Sequence, residues 1–173
     1  MKDMDETPVL SLFKQVKHFI FDIDGVLTNG TLLIHPDGTL LRTMNIRDGY
    51  ALQWAVKKQY GISIISGAKG DALFARLKAL GIQDIHLGIE DKLSCLQELT
   101  QTKQLDLKGV LYMGDDMPDL KVMQEVLIPS CPADAIPEIV AVSKYVSPCK
   151  GGEGCVRDVI EKVLRLNGHW LPD

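Results

Sequence analysis

The sequence predicts an α/β domain. A doubly wound, mostly parallel sheet carries helices on both faces, with a β-hairpin inserted near its start and no cap domain. Three observations predict it. Short apolar runs alternate with helical patterns over nearly the whole chain, and such alternation buries a parallel sheet between two helical layers. The length, 173 residues, is that of one domain and suffices for a core without staples. Acidic and hydroxyl residues follow directly on the apolar runs, at the carboxyl ends of strands, where open α/β sheets bind ligands.

Residues 16–21 are an apolar run and read as a buried strand. Segment 30–44 breaks the alternation. Its apolar arms (Leu32, Leu33 and Ile34, then Leu40, Leu41 and Met44) flank His35-Pro36-Asp37-Gly38, whose Asp-Gly pair supplies turn chemistry. An isolated hairpin is marginal in water, and an exposed apolar edge invites association. The hairpin is therefore expected to pack against another subunit; the alternative is a flap on its own domain. Residues 48–59 read as a helix, with Asp48 as N-cap and Tyr50, Trp54 and Val56 broadly on one side. Gly61 ends it and a strand over 62–65 follows. A helix over 69–80 closes at Gly81. Next come a strand over 85–87, a helix over 91–101 with Leu93, Leu96 and Leu99 at helical spacing, and a strand over 110–113. A short helix over 118–124, a strand over 126–128, a helix over 133–140 and an amphipathic helix over 154–166 complete the pattern. Residues 16–166 then form one domain, between an extension over 1–15 and a tail over 167–173 that carries Trp170.

Composition excludes several classes. With 46% hydrophobic and 24% charged residues, the chain is neither disordered, collagen-like nor a coiled coil. A net charge of −4 offers no basic field for nucleic acid. No apolar run approaches the roughly 20 residues of a membrane span, so no membrane partner is expected. Met1 to Thr7 hold four charged residues and no apolar stretch, so no secretion signal is read. Cys95, Cys131, Cys149 and Cys155 form no C-x-x-C pair and read as the reduced thiols of a cytoplasmic protein rather than a zinc site. The histidines have no metal-ligand spacing: His18 and His86 read as strand-edge residues and His35 as a hairpin-tip residue.

Four signals carry chemistry. In FDIDGVLTNG, Asp22 and Asp24 stand two apart just past the first strand. Regular alternation would send them to opposite faces, but Gly25 lets the chain turn so that both reach one cavity. One carboxylate can attack phosphorus while the other gives a proton to the leaving oxygen and later activates water. Taken alone, the pair reads equally as a capped turn with two solvated acids. In YMGDDMPD, Asp115, Asp116 and Asp119 follow another strand, and hard cations such as magnesium prefer carboxylate oxygens. A helix N-terminus would also favour Asp119 and Asp116, but explains Gly114-Asp115 less well. Ser66 in IISGAKG and Lys92 in GIEDKL supply the hydroxyl donor and the cation that a phosphoryl group requires.

In this order, Asp22-x-Asp24, Ser66, Lys92 and Gly114-Asp115-Asp116-x-x-Asp119 resemble the four motifs of the haloacid dehalogenase superfamily phosphatases, over about residues 16–166. The resemblance implies that Asp22 is the nucleophile and forms an aspartyl-phosphate. It implies that Asp24 is the general acid/base, with its carbonyl on magnesium. Ser66 and Lys92 would hold the phosphate, and Asp115 would bind magnesium together with Asp22 and Asp24. Asp116 and Asp119 would support the site. DGVLTNG, the hairpin, NIRDGY, GGEGCVRDVIEKVL and the lack of a cap further resemble the 3-deoxy-D-manno-octulosonate 8-phosphate (KDO 8-phosphate) phosphatases. That family is small, capless, magnesium-dependent and tetrameric through the hairpin. It implies substrate contacts from Asn45, Ile46, Arg47, Asp48 and Gly49, and from Arg76, whose guanidinium suits a sugar carboxylate. Read without the resemblance, Arg76 is a solvated helix residue and Arg47 a loop cation. Ala68 departs from the pattern, because many members place an arginine there and relatives acting on nine-carbon acids a glutamate. Its lack of an acid favours the eight-carbon substrate over a nine-carbon 2-keto-3-deoxy sugar acid 9-phosphate. Ser66 replaces the threonine of many members. A receiver-type phospho-acceptor domain shares the acid cluster, hydroxyl and lysine, but is shorter and lacks both the hairpin and a late Gly-Asp-Asp.

Overall fold

The computed structural model describes residues 8–171; the sequence readings on Met1 to Thr7 and on the last two residues lie outside it. Six parallel strands form the main sheet in the order β5-β4-β1-β6-β7-β8. They are β1 (His18–Phe21), β4 (Gly61–Ser66), β5 (Asp84–Leu87), β6 (Val110–Met113), β7 (Ile128–Cys131) and β8 (Tyr145–Val146). A separate antiparallel ribbon pairs β2 (Leu33–Ile34) with β3 (Leu40–Leu41). The helices are α1 (Val9–Phe13), α2 (Ile46–Lys57), α3 (Asp71–Ala79), α4 (Lys92–Lys103), α5 (Leu120–Met123), α6 (Pro137–Val142) and α7 (Cys155–Leu166).

β1 and β6 are buried at every position because a central parallel strand is covered on both faces. Alternate residues feed two cores. Phe19, Phe21, Leu111 and Met113 join a core that includes residues of α2, α3 and α7. Ile20, Val110 and Tyr112 join one built with α4, α5 and α6. The chain leaves β1 for β4 and β5 on one side, then crosses back to β6 on the other. The switch point lies between the carboxyl ends of β1 and β6, where Phe21 pairs with Met113. Asp22 N–H prolongs that pairing by donating to Met113 O at 3.1 Å.

Several boundaries differ from those read in the sequence. Asn45, not Asp48, caps α2: its side chain accepts from Arg47 N–H at 2.8 Å. Asp48 sits inside the first turn, buried, accepting from Arg157 N–H at 2.7 Å. β7 runs over Ile128–Cys131 instead of 126–128, because Ser130 is buried with its hydroxyl donating to Tyr112 O at 2.8 Å. α6 begins only at Pro137, a residue suited to a first helical turn. Neither α1 nor β8 was legible. Phe13 of α1 is fully buried, edge-on to Tyr145 with ring centroids 5.2 Å apart.

Candidate active site

The carboxyl ends of β1, β4 and β6 and the start of α4 surround a cavity of about 560 Å³. Asp22, Asp24, Ser66, Lys92, Asp115, Asp116 and Asp119 all line it. Gly25 holds φ at +88°, and a Cβ there would collide with the Asp115 carboxylate. Glycine therefore both turns the chain after Asp24 and lets Asp115 approach it. Gly114 leaves room for Asp119, whose side chain occupies the space a Cβ would take.

Lys92 is the first residue of α4, set there by the Asp91 cap, which accepts from Ser94 N–H at 3.2 Å. Its side chain is 4% exposed, with Nζ 3.0 Å from Asp22 Oδ2 and 2.7 Å from Asp119 Oδ1. Asp119 accepts three hydrogen bonds. Oδ1 also accepts from the Tyr112 hydroxyl at 2.5 Å, and Oδ2 accepts from Asp115 N–H at 3.2 Å. Ser66 ends β4, where its Oγ accepts from Ala68 N–H at 3.2 Å. Asp116, at the cavity rim, is exposed and accepts from Met117 N–H at 2.7 Å.

Burial, then the charge of Asp119, raises the pKa of Asp22, against the pull of Lys92 and Ser66. Asp115 is pushed up to about 7 by burial and then by the charges of Asp22, Asp119 and Asp116. Burial draws Lys92 down, but Asp119 and Asp22 outweigh it and hold the ammonium above its ordinary range. The acids thus carry more negative charge than one lysine balances. Asp22 Oδ1 and Asp115 Oδ1 are buried without a hydrogen-bond partner among the described residues. Oxygen atoms of Asp22, Asp115 and Asp119 lie within 4.8 Å of one another. Two orphaned carboxylate oxygens in a crowded acidic cavity fit a hard divalent cation. Asp119 is already occupied, so Asp22 and Asp115 are the fitting ligands, with Asp119 fixing Lys92 and the Asp115 backbone.

Asp24 is held differently. Arg42 Nε donates to its Oδ1 at 2.8 Å and Nη2 to its Oδ2 at 2.9 Å, while the Thr28 hydroxyl donates to Oδ1 at 3.3 Å. Arg42 lies just past β3, so the hairpin is tied to the cavity of its own chain.

The expected substrate stretch is not gathered around the acids of its own chain. Asn45 caps α2 and donates from Nδ2 to Gly152 O at 3.3 Å. Arg47 lines a groove beside α7 with Arg157 and Arg165, and Asp48 is buried. Gly49 makes room for Arg76, since a Cβ would come within 2.9 Å of Nη2. Ile46 and Arg76 line a second cavity between the hairpin and α3. Arg42 and Tyr112 are site residues that the sequence reading missed. Arg42 is the one charged side chain in the hairpin's second arm (Leu40, Leu41, Arg42, Thr43, Met44), and Tyr112 the one hydroxyl in an otherwise apolar strand. Each was a visible signal. Gly151 and Gly152 were also missed: they pack on the turn after Asp24, with Gly152 N–H donating to Val26 O at 2.9 Å.

No family model matches the chain. Curated and solved relatives do. A 3-deoxy-D-manno-octulosonate 8-phosphate phosphatase of Yersinia pestis is 34% identical over 156 residues, 90% of this chain and 83% of the relative. The crystal structure of the enzyme of that name from Yersinia pestis superposes with a TM-score of 0.91 at 33% identity, covering 94% of this chain and 88% of that one. The Moraxella catarrhalis phosphatase of the same name superposes with a TM-score of 0.90 at 32% identity, covering 96% of this chain and 95% of that one. That structure holds magnesium, phosphate and KDO.

Proposed function

The chain belongs to the 3-deoxy-D-manno-octulosonate 8-phosphate phosphatases of the haloacid dehalogenase superfamily, and we propose that it hydrolyses that sugar acid phosphate to KDO and phosphate. The observation that carries the reading is the pair of orphaned buried oxygens, Asp22 Oδ1 and Asp115 Oδ1, in one cavity with Lys92. Asp22, Asp115 and the Asp24 carbonyl would hold magnesium. When bound, magnesium neutralises charge gathered on the acids and on the phosphoryl oxygens.

Asp22 attacks phosphorus and an aspartyl-phosphate forms as the bond to the sugar oxygen breaks. Asp24 gives its proton to that oxygen. Water then loses a proton to Asp24 and attacks phosphorus, the bond to Asp22 breaks, and both carboxyls return to their starting forms. Ser66 and Lys92 hold the phosphoryl group. Lys92 can do so because Asp119 fixes its ammonium beside Asp22. Asp116 supports the loop. Residues 45–49 and Arg76 contribute to substrate binding, with the Arg76 guanidinium suited to the sugar carboxylate.

The enzyme works as a cytoplasmic homotetramer assembled through the hairpin. Support comes from the hairpin's exposed leucines, from the free cysteines among the described residues, and from the absence there of any helix long and apolar enough to cross a membrane. A phosphate-release screen over sugar acid phosphates, with and without magnesium, tests the reading. Release is expected from KDO 8-phosphate, to be lost with EDTA and weak with a nine-carbon 9-phosphate. A preference for the nine-carbon acid would overturn the substrate, and undiminished release in EDTA would overturn the metal.

A further inference from the structure

A side chain that serves the leaving oxygen needs a free carboxyl oxygen turned toward it. Both oxygens of Asp24 are taken by the planar fork of Arg42, at 2.8 and 2.9 Å. The Arg42 side chain is 10% exposed and that of Asp24 35%, so the guanidinium is largely enclosed while the carboxylate stays open to the cavity. Arg42 also stands at a partition. On one side is the acid cavity; on the other is the cavity of about 750 Å³ between the hairpin and α3. Lys69 and Arg76 line that second cavity with Arg42, beside apolar Leu41, Met44 and Ile46. A sugar acid there would bring a carboxylate, the same group in the same bidentate geometry that Arg42 already holds.

We propose that Arg42 is a specificity-determining residue that clamps Asp24 until the carboxylate of the substrate takes over its guanidinium and frees Asp24 for the leaving oxygen. The inference rests on the reading of Asp24 as the acid/base given above. Exchanging one carboxylate for another keeps the charge balance of the guanidinium, so a substrate with a carboxylate opens the clamp at little cost, and the freed Asp24 takes from solvent water the proton that it gives to the leaving oxygen. A phosphomonoester without one cannot. Discrimination then falls on turnover as well as on binding.

The test compares KDO 8-phosphate with D-ribose 5-phosphate, an alkyl phosphate that has no carboxylate, in the magnesium-loaded wild type and in Arg42→Ala and Arg42→Lys. Circular dichroism checks that each variant is folded. For Arg42→Ala, kcat/KM on KDO 8-phosphate should fall about tenfold to a hundredfold, the loss expected for one charged hydrogen-bonding partner. On ribose 5-phosphate kcat should rise several-fold. Arg42→Lys, which keeps the charge but not the fork, should lie between the two on both substrates. A parallel fall on both substrates, or no change on either, would overturn the clamp while leaving the phosphatase reading intact. A wild type that releases phosphate from neither substrate overturns both.

Discussion

Three donors converge on Asp119, from Lys92, Tyr112 and the Asp115 backbone, and this leaves Asp22 and Asp115 as the acids with free oxygens. Tyr112→Phe should therefore be felt beyond its small change in volume. Losing the hydroxyl removes a buried hydrogen bond to a charged acceptor and should cost about 1–3 kcal/mol. Urea unfolding of wild type and variant measures it; equal stabilities would mean the 2.5 Å contact contributes nothing net. Asp24→Asn should lower kcat by about 10²- to 10⁴-fold, as general acid/base loss does. Magnesium affinity, measured by calorimetry, should be kept, because only the Asp24 carbonyl is assigned to the metal. A variant whose main defect is lost magnesium binding would refute that division of roles. Asp22, Asp24 and Asp115 were readable because each directly follows a strand and local spacing identifies it. Arg42 and Tyr112 stand out by residue type, but their roles were not readable, because their partners lie 18 and 7 residues away and are set by tertiary packing.

Strand β1 shows what an element can hide. His18 reads as a strand-edge histidine, yet it is 9% exposed, with Nε2 sharing a hydrogen bond with Ser63 Oγ at 2.8 Å. Burial lowers its pKa from 6.5 to about 4, with Asp84 opposing and Lys103 assisting. The unfolded chain then binds the proton first as pH falls. The neutral imidazole's contribution is complete above about pH 6.5 and is lost as pH drops toward 4, by about 3 kcal/mol at most at 1.36 kcal/mol per pKa unit. Asp48 and Asp115 shift in the opposite direction, so the difference between wild type and His18→Asn isolates the effect. Wild type should lose more stability than the variant between pH 7 and 5 in urea titrations. Parallel pH profiles would show that His18 is as open to solvent in the fold as in the unfolded chain. Strand β6 was read at its true bounds because its apolar run is unbroken, whereas β7 was displaced because proline and serine stand where a strand should be apolar. Such positions become legible only once the neighbouring strand offers Tyr112 O to Ser130.

At the scale of the whole molecule, the hairpin is an element that the other described residues leave uncovered. Leu33 and Ile34 are 67% and 72% exposed, and Leu32, Leu40 and Leu41 are exposed with them. Full burial of one such side chain contributes roughly 1.5–3 kcal/mol, so a shared hairpin interface gains from each leucine on each subunit. The hairpin also touches chemistry, through Arg42 on Asp24 and through the cavity it shares with α3. The sequence expectation that the hairpin packs on another subunit and its alternative, a flap on its own domain, thus each find a feature in one chain: the free apolar surface and the Arg42 tie. Both hold together if assembly steadies the hairpin while Arg42 anchors it inward. A small site without a cap stays wet unless something covers it, and water weakens the stabilisation of developing charge. Replacing Leu33 and Leu41 together by aspartate should therefore break the proposed tetramer and raise KM for the sugar phosphate, with the fold retained because neither residue contributes to the core. Light scattering gives the mass and steady-state kinetics gives KM over the same protein concentrations. A wild type that is monomeric and fully active at assay concentration would make the hairpin a flap of its own chain, and the rise in KM would then have to come from the Arg42 tie alone.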